Sequence, residues 1–161
     1  MVDNPRVIIT AEVDTSNLKA DTMFETFNEM IEGLNDKVND GVEDAVENLS
    51  ELVKMEQESN LIRGDHIASG ALLSSILIDL QGLSSTIGPT VEGYAANVIE
   101  YGRGEVVPVS ASCLHYWTKF GEEVFSMRSK PFPPDPFVAP SAEVARDRAV
   151  GAVIRGVRSN L

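Results

Sequence analysis

Cys113 and His115 stand two residues apart in a stretch that reads as a β-strand, which puts both side chains on one face. A thiol beside an imidazole is the pairing that makes a nucleophile and its base. Strand neighbours at i and i+2, however, hold their Cβ atoms about 7 Å apart, beyond routine hydrogen bonding. A core cysteine and a sheet histidine are the plainer assignment, with a Cys113–His115 hydrolase kept as the rival. The other histidine, His66, follows Asp65 with no metal-ligand spacing around it and reads as surface loop. Gly102-Arg103-Gly104 lacks the strand-loop-helix setting and the further glycines of a phosphate cradle. No Gly-x-Ser-x-Gly, Walker or zinc motif occurs, and the lone cysteine can form neither an internal disulfide nor a structural zinc site. Asn48-Leu49-Ser50 has the form of a glycosylation sequon but falls inside a predicted helix. The expectation is a protein that is not an enzyme and holds no cofactor or metal.

The elements that would position these residues must come from 161 residues, enough for one domain with a single modest core. No apolar run approaches the length of a bilayer span, so no membrane role is expected. The opening Met1-Val2-Asp3-Asn4-Pro5-Arg6 has neither a basic n-region nor an apolar h-region, and folding in the cytoplasm is the expectation. Charge is uneven: residues 1–60 hold 15 Asp/Glu against 4 Lys/Arg, a net of −11, while residues 61–161 hold 10 against 9. Such a surface repels polyphosphate and lacks the basic footprint of a nucleic-acid binder.

Val7, Ile9, Ala11 and Val13 alternate with their neighbours and predict a first strand. Thr22 with Glu25 offers a capping box, after which Phe24, Phe27, Ile31, Leu34, Val38, Val42, Val46, Leu49, Leu52 and Met55 recur every three or four residues. Residues 22–57 thus predict a long acidic helix, roughly 50 Å if unbroken. Gly33 and Gly41 each weaken it by about 1 kcal/mol and leave a kink or a break open. The stripe packs on the protein's own sheet, or else on a coiled-coil partner. Ile76, Ile78 and Leu80 predict a second strand, which pairs as a hairpin with Ser85 to Pro89. Residues 94–101 predict a short helix stopped by Gly102. Residues 113–118 and 122–129 predict another hairpin, with Leu114, Tyr116, Phe125 and Met127 on one face. Pro131, Pro133, Pro134 and Pro136 make a stiff connector, and Ala142, Ala145, Ala149 and Val153 mark a closing helix. The fold class expected is α+β: a small, mostly antiparallel sheet of about five strands, a long N-terminal acidic helix, a short central helix and a C-terminal helix, all in one domain over 1–161.

Four segments, in order, carry a resemblance. Ser69-Gly70-Ala71-Leu72-Leu73-Ser74-Ser75-Ile76 resembles a small-Gly-x-Leu-x-x-Ser-Ile signature, and Thr86-Ile87-Gly88 follows it. Tyr94-Ala95-Ala96-Asn97-Val98-Ile99-Glu100-Tyr101-Gly102 is similar to Tyr-Ala-x-x-Val-Glu-Tyr-Gly, with Ile99 as an extra residue. Pro134-Asp135-Pro136-Phe137-Val138-Ala139-Pro140-Ser141-Ala142 is similar to Pro-x-Pro-Phe-Leu-x-Pro-Ala, with Ser141 inserted and Asp135 where arginine is common. These belong to the tailed-phage tail-component family, the tail-completion or neck proteins typified by the gene-ten product of HK-type coliphages. The resemblance spans about residues 65–155.

It implies a structural subunit of the virion neck or tail end, a head–tail joining protein assembled as a hexameric ring between head connector and tail tube. The partners it implies are further copies of the chain and other neck and tail proteins, with viral DNA passing through the lumen. Gly70, Leu72, Tyr94, Glu100, Tyr101, Gly102, Pro136, Phe137 and Pro140 become the candidate structural or intersubunit residues. Gly70, Gly88 and Gly102 are expected where φ turns positive, while Pro136 and Pro140 fix φ at the start of the last helix. Tyr94, Tyr101 and Phe137 would bury large areas, in the core or between subunits. Loop 103–112 and the proline connector are the expected donors of an intersubunit patch. The competing reading is an acidic helical protein-interaction module.

Overall fold

A computed structural model describes residues 6–12, 25–66, 70–90, 93–118 and 121–161, with the side chains of 25–28, 93 and 94 left aside. Its elements run β1 (Val7–Thr10), α1 (Glu25–Arg63), α2 (Ala71–Ser74), β2 (Ile76–Gln81), β3 (Ser84–Pro89), α3 (Gly93–Tyr101), β4 (Leu114–Trp117), β5 (Glu123–Ser126) and α4 (Val138–Asn160). The fold is α+β as expected. Its five described strands form two antiparallel sheets rather than one, in the orders β1-β3-β2 and β4-β5.

The three-stranded sheet follows from alternation. Val7, Ile87 and Ile78 lie side by side across it and face the core, while Ile8 points outward. Gly82 opens the two-residue turn between β2 and β3 with φ +57°, the conformation a tight hairpin asks of its first central residue. Gly88 does not turn the chain. It sits within β3 opposite Leu77, in a pairing that needs no positive φ. Val13 and the Thr22 capping residue lie outside the described residues.

Helix α1 runs unbroken through Gly33 and Gly41 and continues past residue 57 to Arg63. Its buried line drifts around the helix, from Val42, Val46 and Leu49 to Val53, Gln57 and Leu61, and leaves Met55 exposed. The line drifts because each four-residue step overshoots the 3.6-residue turn by about 40°. The described half of the stripe from Val42 onward packs on the protein's own sheet and on α4, where Val53 and Leu61 join Val7, Leu72, Ile76, Ile87, Ile99, Phe137 and Val138 in the core. The helix ends at a Schellman turn: His66 N–H donates to the Leu61 carbonyl at 3.0 Å and Asp65 N–H to Ile62 at 3.1 Å, with Asp65 left-handed at φ +56°.

Gly41 is a crossing point. A Cβ there would lie 2.6 Å from Val157 Cα, and one at Gly156 would collide with the Gly41 carbonyl oxygen. The antiparallel helices α1 and α4 therefore touch backbone to backbone, with Ala45, Leu49 and Ala152 forming a second small core beside the contact.

Candidate assembly surface

Glu100 lies near the end of α3 and is buried, yet its carboxylate has no cation beside it among the described ion pairs. Its partners are backbone. Oε2 accepts from Phe137 N–H and Val138 N–H, and Oε1 from Ala139 N–H, each at 2.9 Å. These are the amides at the start of α4, which the helix itself cannot satisfy. Pro140, next in line, has no N–H to satisfy. One carboxylate on α3 thus completes the start of α4, at the end of the helix dipole that favours negative charge.

Three more contacts lock this joint. Asp135 N–H donates to the Ile99 carbonyl at 2.9 Å, Asn60 Nδ2 donates to the Phe137 carbonyl at 3.2 Å, and the Phe137 ring is 1% exposed in the core. Gly102 ends α3 at φ +73°, where a Cβ would lie 2.7 Å from the Phe132 carbonyl oxygen. Only glycine meets both conditions. His66 Nε2 sits 2.9 Å from Asp135 Oδ2, and its ring tilts against Phe132 at 5.9 Å between centroids. His66 is therefore held against the proline connector rather than loose on a surface loop.

From the joint, two chain segments run outward together. Arg103 and Phe132 exchange both backbone hydrogen bonds at 2.9 Å, Val106 and Ser129 exchange theirs at 3.1 and 2.8 Å, and Arg103 Nη2 donates to Ser129 Oγ at 2.6 Å. They lead into the β4–β5 hairpin, whose turn is closed by Gly121 N–H donating to the Thr118 carbonyl at 3.0 Å. The pairing Leu114↔Ser126, His115↔Phe125, Tyr116↔Val124 corrects the expected face by one residue. Phe125 shares its face with His115 and Trp117, not with Leu114 and Tyr116. The His115 ring stacks on Phe125, centroids 4.7 Å apart and planes within 5°, while His115 Nε2 lies 2.7 Å from Glu123 Oε1. That histidine is engaged across the strand by Phe125 and Glu123.

The face so formed is uncovered and rich in aromatics: Trp117 and Phe125 are exposed beside the half-exposed His115–Glu123 pair, as are Met127 just past β5 and Val107 and Val109 in the preceding loop. Behind it, Arg103, Val106, Leu114, Tyr116 and Ser129 border a cleft of about 360 Å³. A two-stranded hairpin is marginal alone, and exposed aromatic side chains gathered on one mark a contact surface.

No protein-family model, curated protein or solved structure matches this chain. The geometry therefore has to place the candidate residues unaided. Glu100, Gly102, Pro136, Phe137 and Pro140 come together in the joint, and Leu72 shares the core with Phe137. Gly70 stands apart as the left-handed residue, φ +70°, that precedes α2. Of the two places expected for Tyr101, the core of its own chain is not the one it takes: it is 67% exposed, one residue beyond the buried Glu100. Tyr94 lies on α3 with its side chain outside the described part. Sequence reading missed the Gly41–Gly156 contact, although Ala145, Ala149, Ala152 and Gly156 form a small-residue stripe of the kind close helix packing needs. Among the described residues no group of three His, Cys, Asp or Glu side chains is placed to hold a metal, and no helix is long and apolar enough to cross a membrane.

Proposed function

We propose that this chain is a structural subunit of the neck or tail end of a tailed virus, a tail-completion or head–tail joining protein that assembles as a hexameric ring between head connector and tail tube and acts within the virion. The observation that supports the reading is the hairpin face on which Trp117 and Phe125 stand exposed, with Met127 just past it, fastened to a hydrogen-bonded joint. Trp and other aromatics held on a firm scaffold are the residues that anchor protein interfaces. The joint is built from the residues on which the family resemblance rests, which supports a role in architecture. In this reading the hairpin docks on a neighbouring neck or tail ring.

The solvent face of α1 adds a second function. Glu29, Asp36, Asp40, Glu43, Glu47 and Glu51 lie along one exposed side for about 33 Å. Turned toward the lumen, that strip repels the DNA backbone and lets a genome slide past. Replacing Glu43, Glu47 and Glu51 by glutamine should leave assembly intact and slow genome ejection. Electron microscopy of the purified protein, alone and mixed with tails, tests the main reading: annuli with a central hole, or tails capped by added density, are expected. Complete and infectious particles lacking this chain would overturn it.

A further inference from the structure

We propose that identical copies meet through an arm-on-helix contact, in which the projecting start of α1 in one copy lies on the outward face of α4 in the next. This rests on the ring reading and names its lateral contact. Lys37 Nζ reaches the Leu161 carbonyl at 3.5 Å, which places the last turn of α4 opposite residue 37 of α1. Residues 25–36 therefore extend about 18 Å further. The arm they form exposes Leu34 and leaves Met30 70% exposed, beside a hollow of about 400 Å³ that Leu161 also borders.

On α4, Ala145, Ala152 and Gly156 face the body of the protein. Val150 and Ile154 each lie two residues from one of these, about 200° around the helix, and point away from it. They are 72% and 47% exposed. One chain thus carries two unlike apolar stripes that no described element of its own fold covers.

Charge decides what covers each. Residues 29–40 carry Glu29, Glu32, Asp36 and Asp40 against Lys37, whereas α4 is the only described helix of net positive charge, with Arg146, Arg148, Arg155 and Arg158 against Glu143 and Asp147. Arm against arm brings like charges together. Arm against α4 brings opposite ones. The arm cannot reach the outward face of its own α4, because the Gly41–Gly156 crossing turns that face away from α1. The acceptor therefore belongs to a second copy. Since each copy gives an arm and receives one through a different surface, the contact is heterologous and can close into a ring. The arm's carboxylates lie opposite Met30 and Leu34, so they steer the approach rather than form tight ion pairs. A helix about 18 Å long and about 10 Å wide covers less than the roughly 800 Å² per partner of a standard interface, so one contact alone is weak.

Two double variants test this by sedimentation velocity over a concentration series, with circular dichroism as the check on folding. Met30→Glu/Leu34→Glu removes the arm's stripe, and Val150→Glu/Ile154→Glu removes the acceptor's; glutamine versions replace either that fails to fold. Wild type should associate beyond dimer as concentration rises, while each variant alone stays monomeric. An equal mixture should give dimers and nothing larger, because one intact arm then meets one intact acceptor. Self-association of the acceptor variant alone would overturn the proposal in favour of arm-to-arm pairing. A monomeric mixture beside an oligomeric wild type would overturn the contact and leave the ring standing. A wild type that stays monomeric throughout would also overturn the contact, and the ring would then be judged on virion micrographs.

Discussion

Glu100 concentrates much of the fold's polar order in one side chain. Its two oxygens accept three backbone N–H groups at 2.9 Å in a largely buried site. Charge-assisted bonds of this kind are about twice as strong as neutral ones, and stranding their donors costs about 1–3 kcal/mol each. Glu100→Gln keeps the shape but sets an NH₂ group against one of the amides. It should destabilise the protein by about 3 kcal/mol, read as a thermal midpoint lower by about 6–12 °C in calorimetry. A midpoint within a degree of wild type would show that the carboxylate is not the keystone of the joint. Gln57 is the opposite case: it is fully buried, and neither amide atom meets a hydrogen-bond partner among the described residues. Gln57→Met, of similar length, should raise stability by about 1 kcal/mol in urea denaturation. Neither role was legible from periodicity. Glu100 stood out only through the Tyr-Gly motif around it, because a cap supplied by a residue 37 positions away leaves no local pattern. Gln57 falls on the buried line only because that line drifts.

At the scale of elements, the two glycines of α1 make a matched experiment. A Cβ at Gly33 meets nothing within 4 Å, so Gly33→Ala should stabilise the helix by about 1 kcal/mol. At Gly41 the obstacle is backbone, Val157 Cα at 2.6 Å, which cannot swing aside. Gly41→Ala should therefore force α1 and α4 apart and destabilise by about 2–3 kcal/mol. Thermal melts that move in opposite directions would bear this out, and equal shifts would refute it. Sequence reading gave both glycines the same cost because propensity acts within one helix, whereas the distinction between them lies in the second helix. The β4–β5 hairpin teaches a related lesson. Its existence followed from alternation around Lys119-Phe120-Gly121, but its register depends on the turn, and a shift of one residue moved Phe125 to the other face. The long periodic elements and the core faces of β1, β2 and α1 from Val42 onward were readable; the face of the β4–β5 hairpin and the helix crossing were not.

For the whole molecule, α4 separates two working ends. Its first turn holds the joint from which the hairpin departs, and its last turn, about 34 Å away, lies where the α1 arm begins. Trp117, the only tryptophan in the chain, reports on the hairpin end. It is exposed in the free protein, so acrylamide should quench its emission strongly, and added tails should protect it if the hairpin docks there. Trp117→Ser/Phe125→Ser should leave the melting temperature within a few degrees of wild type while reducing tail binding at least tenfold, since truncating one interface anchor commonly costs 2 kcal/mol or more. Tail binding that survives this pair would remove the hairpin from the docking surface.

The linkage of the hairpin to α4 through one carboxylate also sets a mechanical order. Tension applied at the hairpin tip would run down its two stems, one into α3 and one through the proline connector into α4, and would tend to peel those helices apart. The Glu100 clasp bears that peeling load, so under strain the joint should open there first, while the glycine-locked pair of long helices stays shut.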